Sequence, residues 1–336
     1  MSTEQFQQRA LFSDIYAHSN VSLSTSLDEL PKTILITGAN GMLGNGLAVA
    51  LRRLQNSEIR LILSSRRWNR NYPFTEEANS QLKFITNEEI SNLEETIDLV
   101  IHTASPSNIT QISTFEELED INFGILKQLE KLCPKKFVYI STGEVYKGGD
   151  SKEINEIGSF SIQNFRDWYP MAKLQSENAL RSYAKVQKLD VNIIRLFHTF
   201  GPGVKPNDGR SFADIIWGAI VKQEITLKSS GEQIRTFLYL SDAIDGILSI
   251  AFGGNKGFSI TNLGSPTPVS IRSFAEIVAS ISKTQIKYDL ETDFPHSPNV
   301  SIVPSVEKLM LTGWNPQVPL EEAVNRTIKW IRGLPL

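Results

Sequence analysis

The stretch that decides the fold is Thr33-Ile-Leu-Ile-Thr37-Gly38-Ala-Asn-Gly41-Met-Leu-Gly44. Its first five residues are β-branched or apolar, the signature of a short buried strand. Glycines follow at 38, 41 and 44, and residues 43–54 then carry apolar side chains at helical spacing. In a strand–turn–helix of this kind each glycine has a task. One permits the tight turn, one lets the backbone approach a pyrophosphate, and one lets the helix pack closely on the strand. The helix N-terminus then presents free N–H groups and a favourable dipole to the phosphates. Gly38, Asn40, Gly41, Met42, Leu43 and Gly44 are therefore candidate dinucleotide-binding residues.

Outward from this turn, strands and helical stretches alternate. Strands are expected at 59–63, 98–102, 137–141 and 191–196, with helical stretches near 90–96, 115–132 and 170–186. That alternation predicts βαβ units and an α/β fold with a Rossmann-type, doubly wound parallel sheet. Beyond Gly201 the pattern loosens into short elements between loops rich in Gly, Pro and Asn. The expected organisation is an N-terminal extension over 1–30, partly helical near 4–16, and a dinucleotide-binding domain over 31–200. Residues 201–336 should form mainly a smaller substrate-binding lobe, with some segments returning to the first domain. No internal repeat or low-complexity tract interrupts this scheme.

Composition narrows the class. The chain has 336 residues, 40% hydrophobic and 21% charged, as expected of a globular protein with a sizeable core. A net charge of −3 gives no electrostatic case for nucleic acid or an anionic membrane. The first thirty residues lack an apolar run and a basic leader, and no stretch approaches the roughly 20 apolar residues of a spanning helix. With Cys133 as the sole cysteine, no internal disulfide framework or thiolate metal site can form, which fits a reducing cytoplasm. The four histidines show no metal-ligand spacing, so no metal is expected.

Two further segments carry chemistry. At the end of the second strand, where an acid would grip the ribose 2′-hydroxyl of NAD, stand Ser64-Ser65-Arg66-Arg67. Two guanidinium groups and two hydroxyls suit a 2′-phosphate, which tilts the cofactor toward NADP, although either NAD or NADP is compatible. Tyr169-Pro-Met-Ala-Lys173 then sets a phenol and an ammonium four residues apart on one helix face. The ammonium is expected to favour phenolate and lower the tyrosine pKa, so that the phenol exchanges a proton with a substrate oxygen. Ser141-Thr-Gly-Glu-Val-Tyr146 ends a strand on the same sheet edge, where ligands converge. It offers Ser141 or Thr142 as a hydroxyl partner and Glu144 as a second acid or base.

Together the glycine pattern, the Ser-Thr-x-Glu-Val-Tyr segment and the Tyr-x-x-x-Lys pair resemble the extended short-chain dehydrogenase/reductase family of nucleotide-sugar epimerases, dehydratases and decarboxylases. The resemblance runs from about residue 32 to residue 330. It implies Tyr169 as acid/base, Lys173 as its modulator and nicotinamide-ribose anchor, and Thr142 as the hydroxyl partner. His102-Thr-Ala-Ser-Pro106 is similar to the strand end and cofactor loop of UDP-glucuronate decarboxylases, which adds Thr103, Ala104 and Ser105 to the cofactor site. Residues 199–210 and 231–242 are similar to the same branch. They imply Arg210 and Arg235 around a nucleotide diphosphate, with Ser105, Glu144 and His198 near the sugar. A homodimer through a four-helix contact that includes the 169–186 helix is also implied.

The chain departs from that pattern at three places. The second strand does not end in an acid. Gly143 stands where the 4,6-dehydratases place an aspartate and the decarboxylases a serine. His198 stands where asparagine is usual. The expected function is NAD(P)-dependent modification of a nucleotide-diphosphate sugar through C4 oxidation and reduction in an internal cycle. An NADPH-dependent reductase of 4-keto sugars stays open, as does an oxidoreductase for an unrelated carbonyl compound. A non-catalytic dinucleotide sensor or scaffold stays open as well.

Overall fold

A computed structural model describes residues 30–54, 58–68, 81–105, 124, 127–128, 130–146, 153–156, 168–206, 208–289 and 303–333. The quoted stretch folds as read: β1 (Thr33–Thr37), a glycine turn, then α1 (Met42–Arg52). Next come β2 (Arg60–Ser65), β3 (Leu82–Thr86), β4 (Leu99–His102) and β5 (Lys136–Thr142). A short β6 (Glu153–Ile154), the long helix α2 (Trp168–Gln187) and β7 (Asp190–Leu196) follow.

The main sheet has seven strands, all paired in parallel, in the order β12-β7-β5-β4-β1-β2-β3. Its last member, β12 (Phe258–Leu263), arrives from the far end of the chain. Strand order reverses between β1 and β4, and a doubly wound sheet binds its ligand outside the strand ends at that point. The strands read as apolar runs because both faces are covered. Ile34 and Ile36 of β1 join the layer formed with α1 and α4 (Leu240–Phe252), whereas Leu35 joins the opposite layer, where Leu180 and Ala184 of α2 pack. Alternate residues of one strand thus enter two different cores, as the two-residue pleat requires.

Two sequence expectations change. The helical stretch near 90–96 is only a 3₁₀ turn, Glu88–Asn92, after which Leu93 is extended. The reason is Glu95, drawn aside to ion pairs with Arg60 at 2.5 Å and Lys83 at 2.9 Å. Strands β3 and β12 complete the two sheet edges without having been foreseen. The expected helix at 4–16 lies outside the described residues, and so does most of the one at 115–132.

From β8 (Thr199–Phe200) onward a second core forms. It gathers Phe200, Phe212, Phe237, Phe274, Val324 and Ile331 from strands and from α3 (Ser211–Trp217), α5 (Ile271–Ser282) and α7 (Leu320–Arg332). Phe237 and Phe274 lie 4.3 Å apart between ring centroids, and Phe200 meets Phe274 edge-on. Between these segments the chain returns to the first core through α4 and β12, so the two cores share one continuous backbone rather than following one another. Among the described residues no helix is long and apolar enough to cross a membrane.

Candidate active site

The site begins where β1 meets α1. Gly38 has φ 72°, and a Cβ there would lie 2.6 Å from the backbone nitrogen of Ala104. Only glycine lets the loops after β1 and β4 touch. A Cβ at Gly44 would come within 2.7 Å of Ala39 Cα, so α1 can lie against the strand only without it. Gly41 caps α1 and brings no side-chain acceptor, which leaves first-turn N–H groups to an anion. Asn40 and Gly41 are exposed; Met42 and Leu43 are half-buried. Thr103 pins the neighbouring loop by donating its hydroxyl to Thr37 O at 2.7 Å, and the half-buried Ala104 and exposed Ser105 follow it.

At the end of β2 the hydroxyls turn inward. Ser64 donates to Asn87 Oδ1 at 2.6 Å, and buried Ser65 donates to Arg67 O at 3.0 Å. Asn40 Nδ2 also donates to Arg67 O, at 2.7 Å, which ties this loop to the glycine turn. The groups left facing solvent are the side chains of Arg66 and Arg67.

Thr142 closes β5, and residues Gly143–Tyr146 form a 3₁₀ turn that carries Glu144. Glu144 N donates to Thr142 Oγ1 at 3.2 Å. Tyr169 enters from the first turn of α2, and its phenol shares hydrogen bonds with Thr142 and Ser105. One turn later Lys173 Nζ donates to Ile140 O at 2.9 Å and lies 5.9 Å from the Tyr169 ring centroid. The side chain of Ser141 is directed elsewhere, donating to Glu177 Oε1 at 2.5 Å, so Thr142 is the hydroxyl that meets the phenol.

The electrostatics correct one expectation. The Tyr169 pKa is raised rather than lowered. Burial is the dominant cause, and the negative charge of Glu144 adds to it; the bonds from Ser105 and Thr142 and the charge of Arg210 act the other way. Lys173 is not among the groups that set the Tyr169 shift; burial brings its own pKa down to about 8, with the Glu177 charge opposing, and its ammonium is committed to the Ile140 carbonyl.

The second core supplies the opposite wall. Arg210 forms an ion pair with Asp208 and stacks its guanidinium 4.8 Å over the Phe212 ring. Burial pulls its pKa down, but the Asp208 pair outweighs that and raises it, and the charges of Tyr169 and Glu144 add to the rise. Arg235 is half-buried on β10 (Ile234–Thr236) and donates to Ile234 O at 2.8 Å. Burial lowers its pKa and Glu144 again opposes. Glu144 is thus within electrostatic reach of Tyr169, Arg210 and Arg235, three residues distant in sequence. His198, between β7 and β8, meets the edges of Phe212 and Phe237 at 6.3 and 6.0 Å. Asn207 lies outside the described residues. Gly143 faces the Phe197 ring, which a Cβ would approach to 2.7 Å.

Sequence reading passed over a group of buried polar residues behind this site: His102, Tyr146, Glu177, Arg195 and Asn262. The available signals were Glu177, which continues the four-residue spacing of Tyr169 and Lys173, and Arg195, a charge inside an apolar strand.

A glycine turn at the switch point of a parallel sheet, with a phenol, a hydroxyl and a buried lysine at the neighbouring strand end, defines a dinucleotide-dependent enzyme of Rossmann type. The chain belongs to the NAD dependent epimerase/dehydratase family, whose sequence profile matches residues 34–264. It is 29% identical over 319 residues to UDP-glucuronic acid decarboxylase 1 of Xenopus tropicalis, covering 90% of this chain and 72% of that protein. It is 28% identical over 250 residues to dTDP-D-glucose 4,6-dehydratase of Mus musculus, covering 71% and 68%. Among solved structures, the UDP-glucuronic acid 4-epimerase from Bacillus cereus, in complex with UDP-glucuronic acid and NAD, superposes with a TM-score of 0.76. The identity there is 24%, over 89% of this chain and 99% of that one, a likeness of fold.

Proposed function

We propose that the chain remodels a nucleotide-diphosphate sugar by oxidising and re-reducing its C4 position with a retained NAD(P). The observation that carries this reading is the convergence of Thr142, Glu144 and Tyr169 from one core with Arg210 and Arg235 from the other. The residues around the switch point fit a dinucleotide: the glycines allow close approach, Gly38 touches the loop that bears Thr103 and Ala104, and the first turn of α1 has no side-chain cap. The nicotinamide, when bound, supplies the redox chemistry, taking a hydride from the sugar carbon and giving it back.

The chain's own groups do the rest. Thr142 and Tyr169 hold the reacting oxygen, and Tyr169 takes or returns its proton. Lys173 anchors the nicotinamide ribose. Glu144 acts as base toward the carbon next to the transient ketone. Arg210 and Arg235 hold the diphosphate, for which a planar guanidinium is suited. Ser105 and His198 contact the sugar or phosphate. Residues 201–336 form mainly the lobe that closes over the nucleotide, and α2 lies in a homodimer contact. Exposed Arg66 and Arg67 favour NADP over NAD, since neither has a side-chain hydrogen bond or ion pair among the described residues. The known action of the relatives on UDP-glucuronic acid supports a sugar nucleotide of that kind as substrate.

The experiment is to denature freshly purified protein, quantify the released nucleotide by chromatography and screen nucleotide sugars for altered products. Near-stoichiometric cofactor that survives dialysis, with an epimerised, dehydrated or decarboxylated product, is expected. A second reading, a 4-keto-sugar reductase that consumes NADPH, is favoured by Arg66 and Arg67. It predicts empty protein and loss of NADPH absorbance with a 4-keto substrate.

A further inference from the structure

Behind the proposed catalytic residues lies a charged network closed off from water. Arg195 of β7 and Glu177 of α2 are 1% and 2% exposed. Arg195 Nη2 donates to Glu177 Oε2 at 2.6 Å, and Nε lies 3.1 and 3.2 Å from the two carboxylate oxygens. The remaining arm, Nη1, donates to Tyr146 OH at 2.7 Å, and that hydroxyl donates to Asn262 Oδ1 of β12 at 2.9 Å. Glu177 Oε1 accepts from Ser141 as well. A buried pair of this kind is no more stabilising than well-packed apolar side chains, so its presence calls for another reason.

Position supplies that reason. Ser141 immediately precedes Thr142 on β5, Tyr146 ends the turn that carries Glu144, and Glu177 lies one helical turn beyond Lys173. Every segment that presents a proposed catalytic group is fastened to the same guanidinium–carboxylate unit. The groups facing Lys173 are Tyr169 and Glu177 on its own helix, Tyr139 of β5 with its ring 4.6 Å away, and His102 of β4. Burial holds His102 neutral and raises the Tyr139 pKa, so among the described residues facing the ammonium the Glu177 carboxylate is the negative charge that acts on it.

We propose that Glu177, clamped by Arg195, is a positioning residue of the active site: it keeps the Lys173 ammonium charged in its buried place and fixes the segments that carry Thr142 and Glu144. This rests on the proposed roles of Lys173 and Tyr169. Arg195 acts through Glu177 and Tyr146 and touches no reacting atom.

The test reads Lys173 directly. In full-length protein labelled with ¹³C at lysine Cε, the Lys173 resonance is assigned by its loss in Lys173→Met and followed against pH. In the parent protein it should titrate near pH 8, as the burial and partners of Lys173 imply. In Glu177→Gln it should titrate lower by about one unit or more, because an opposite charge has been removed. If Glu177→Gln does not fold, Glu177→Leu combined with Arg195→Met removes both charges while keeping the core filled, and a smaller downward shift is expected, because loss of the Arg195 charge partly offsets loss of the nearer carboxylate. An unchanged Lys173 titration in the folded variant overturns the proposal, whatever its activity. Tyr169→Phe, assayed in parallel, judges the catalytic reading separately. Full activity there would remove the catalytic role and leave the link between Glu177 and Lys173 standing.

Discussion

His102 offers a sharp test of the arrangement at the switch point, since burial dominates its titration. The ring is 5% exposed, shares a 2.7 Å hydrogen bond with Thr37 Oγ1 and stacks on Tyr139 with centroids 5.5 Å apart. Burial, with a smaller push from the Lys173 charge, brings its pKa from 6.5 down to about 3. A histidine whose folded pKa is depressed contributes its full stability above pH 6.5, and that contribution is lost as pH falls toward 3. In this window the unfolded chain binds the extra proton, so stability must drop as acid is added. Linkage gives about 2 kcal/mol of loss between pH 7 and pH 5 from this one group. The perturbation is His102→Asn, which places an amide near Thr37 Oγ1 and cannot titrate. Urea unfolding of both proteins at several pH values between 7 and 5 provides the measurement. Other carboxylates and histidines titrate alike in both and cancel in the difference. The parent should lose about 2 kcal/mol more than the variant over that range. Parallel pH profiles would falsify the claim that this imidazole is buried and neutral.

Other consequences can be measured as directly. Tyr169→Phe should lower turnover by about 10²-fold or more while cofactor content stays near that of the parent, because in the proposed role the phenol handles a proton; unimpaired turnover excludes the acid/base role. Glu144→Gln separates two chemistries: a large loss is expected if a base acts beside the ketone, and little change means plain reduction at C4. Gly44→Ala should reduce both stability and retained nucleotide, since its methyl would meet the Ala39 backbone; undiminished cofactor content speaks against the close approach of α1. Arg195→Met should cost about 3–5 kcal/mol in chemical unfolding, because it strands the Glu177 carboxylate, and a loss below 1 kcal/mol would mean that water reaches the pair.

The first core was legible because its rules are local. The β1 turn, the apolar strands and the α2 helix each announce themselves within a dozen residues, and the parallel topology follows from their alternation. Strand β12 was not legible, because the six residues after Gly257 mix three apolar with three polar side chains and say nothing about which sheet they join; its partner β7 lies more than sixty residues earlier in the sequence. The site divides along the same line. Tyr169, Lys173 and Thr142 were marked by spacing and strand ends. The inward turn of Ser64 and Ser141 was not, because it depends on Asn87 and Glu177 arriving from elsewhere. The direction of the Tyr169 shift was missed for a related reason: spacing brings lysine to the right helix face, whereas burial and the commitment of its ammonium to Ile140 O are tertiary facts.

These facts also bear on how the site would work. A phenol with a raised pKa holds its proton at neutral pH and is ready to donate to a sugar oxygen rather than to withdraw from it. Oxidation needs the opposite state, so positive charge must come close for the first half of a cycle. Arg210 already acts in that direction on Tyr169, and Glu144 acts against it. A diphosphate that engages Arg210 and Arg235 would remove part of the positive influence, whereas a cationic nicotinamide beside Tyr169 would restore it and more. On the proposed roles the two ligands would pull the phenol in opposite directions, and Tyr169 would give up its proton more easily with an oxidised nicotinamide bound than with a reduced one. An internal cycle needs that alternation, and a one-way reductase uses only its second half.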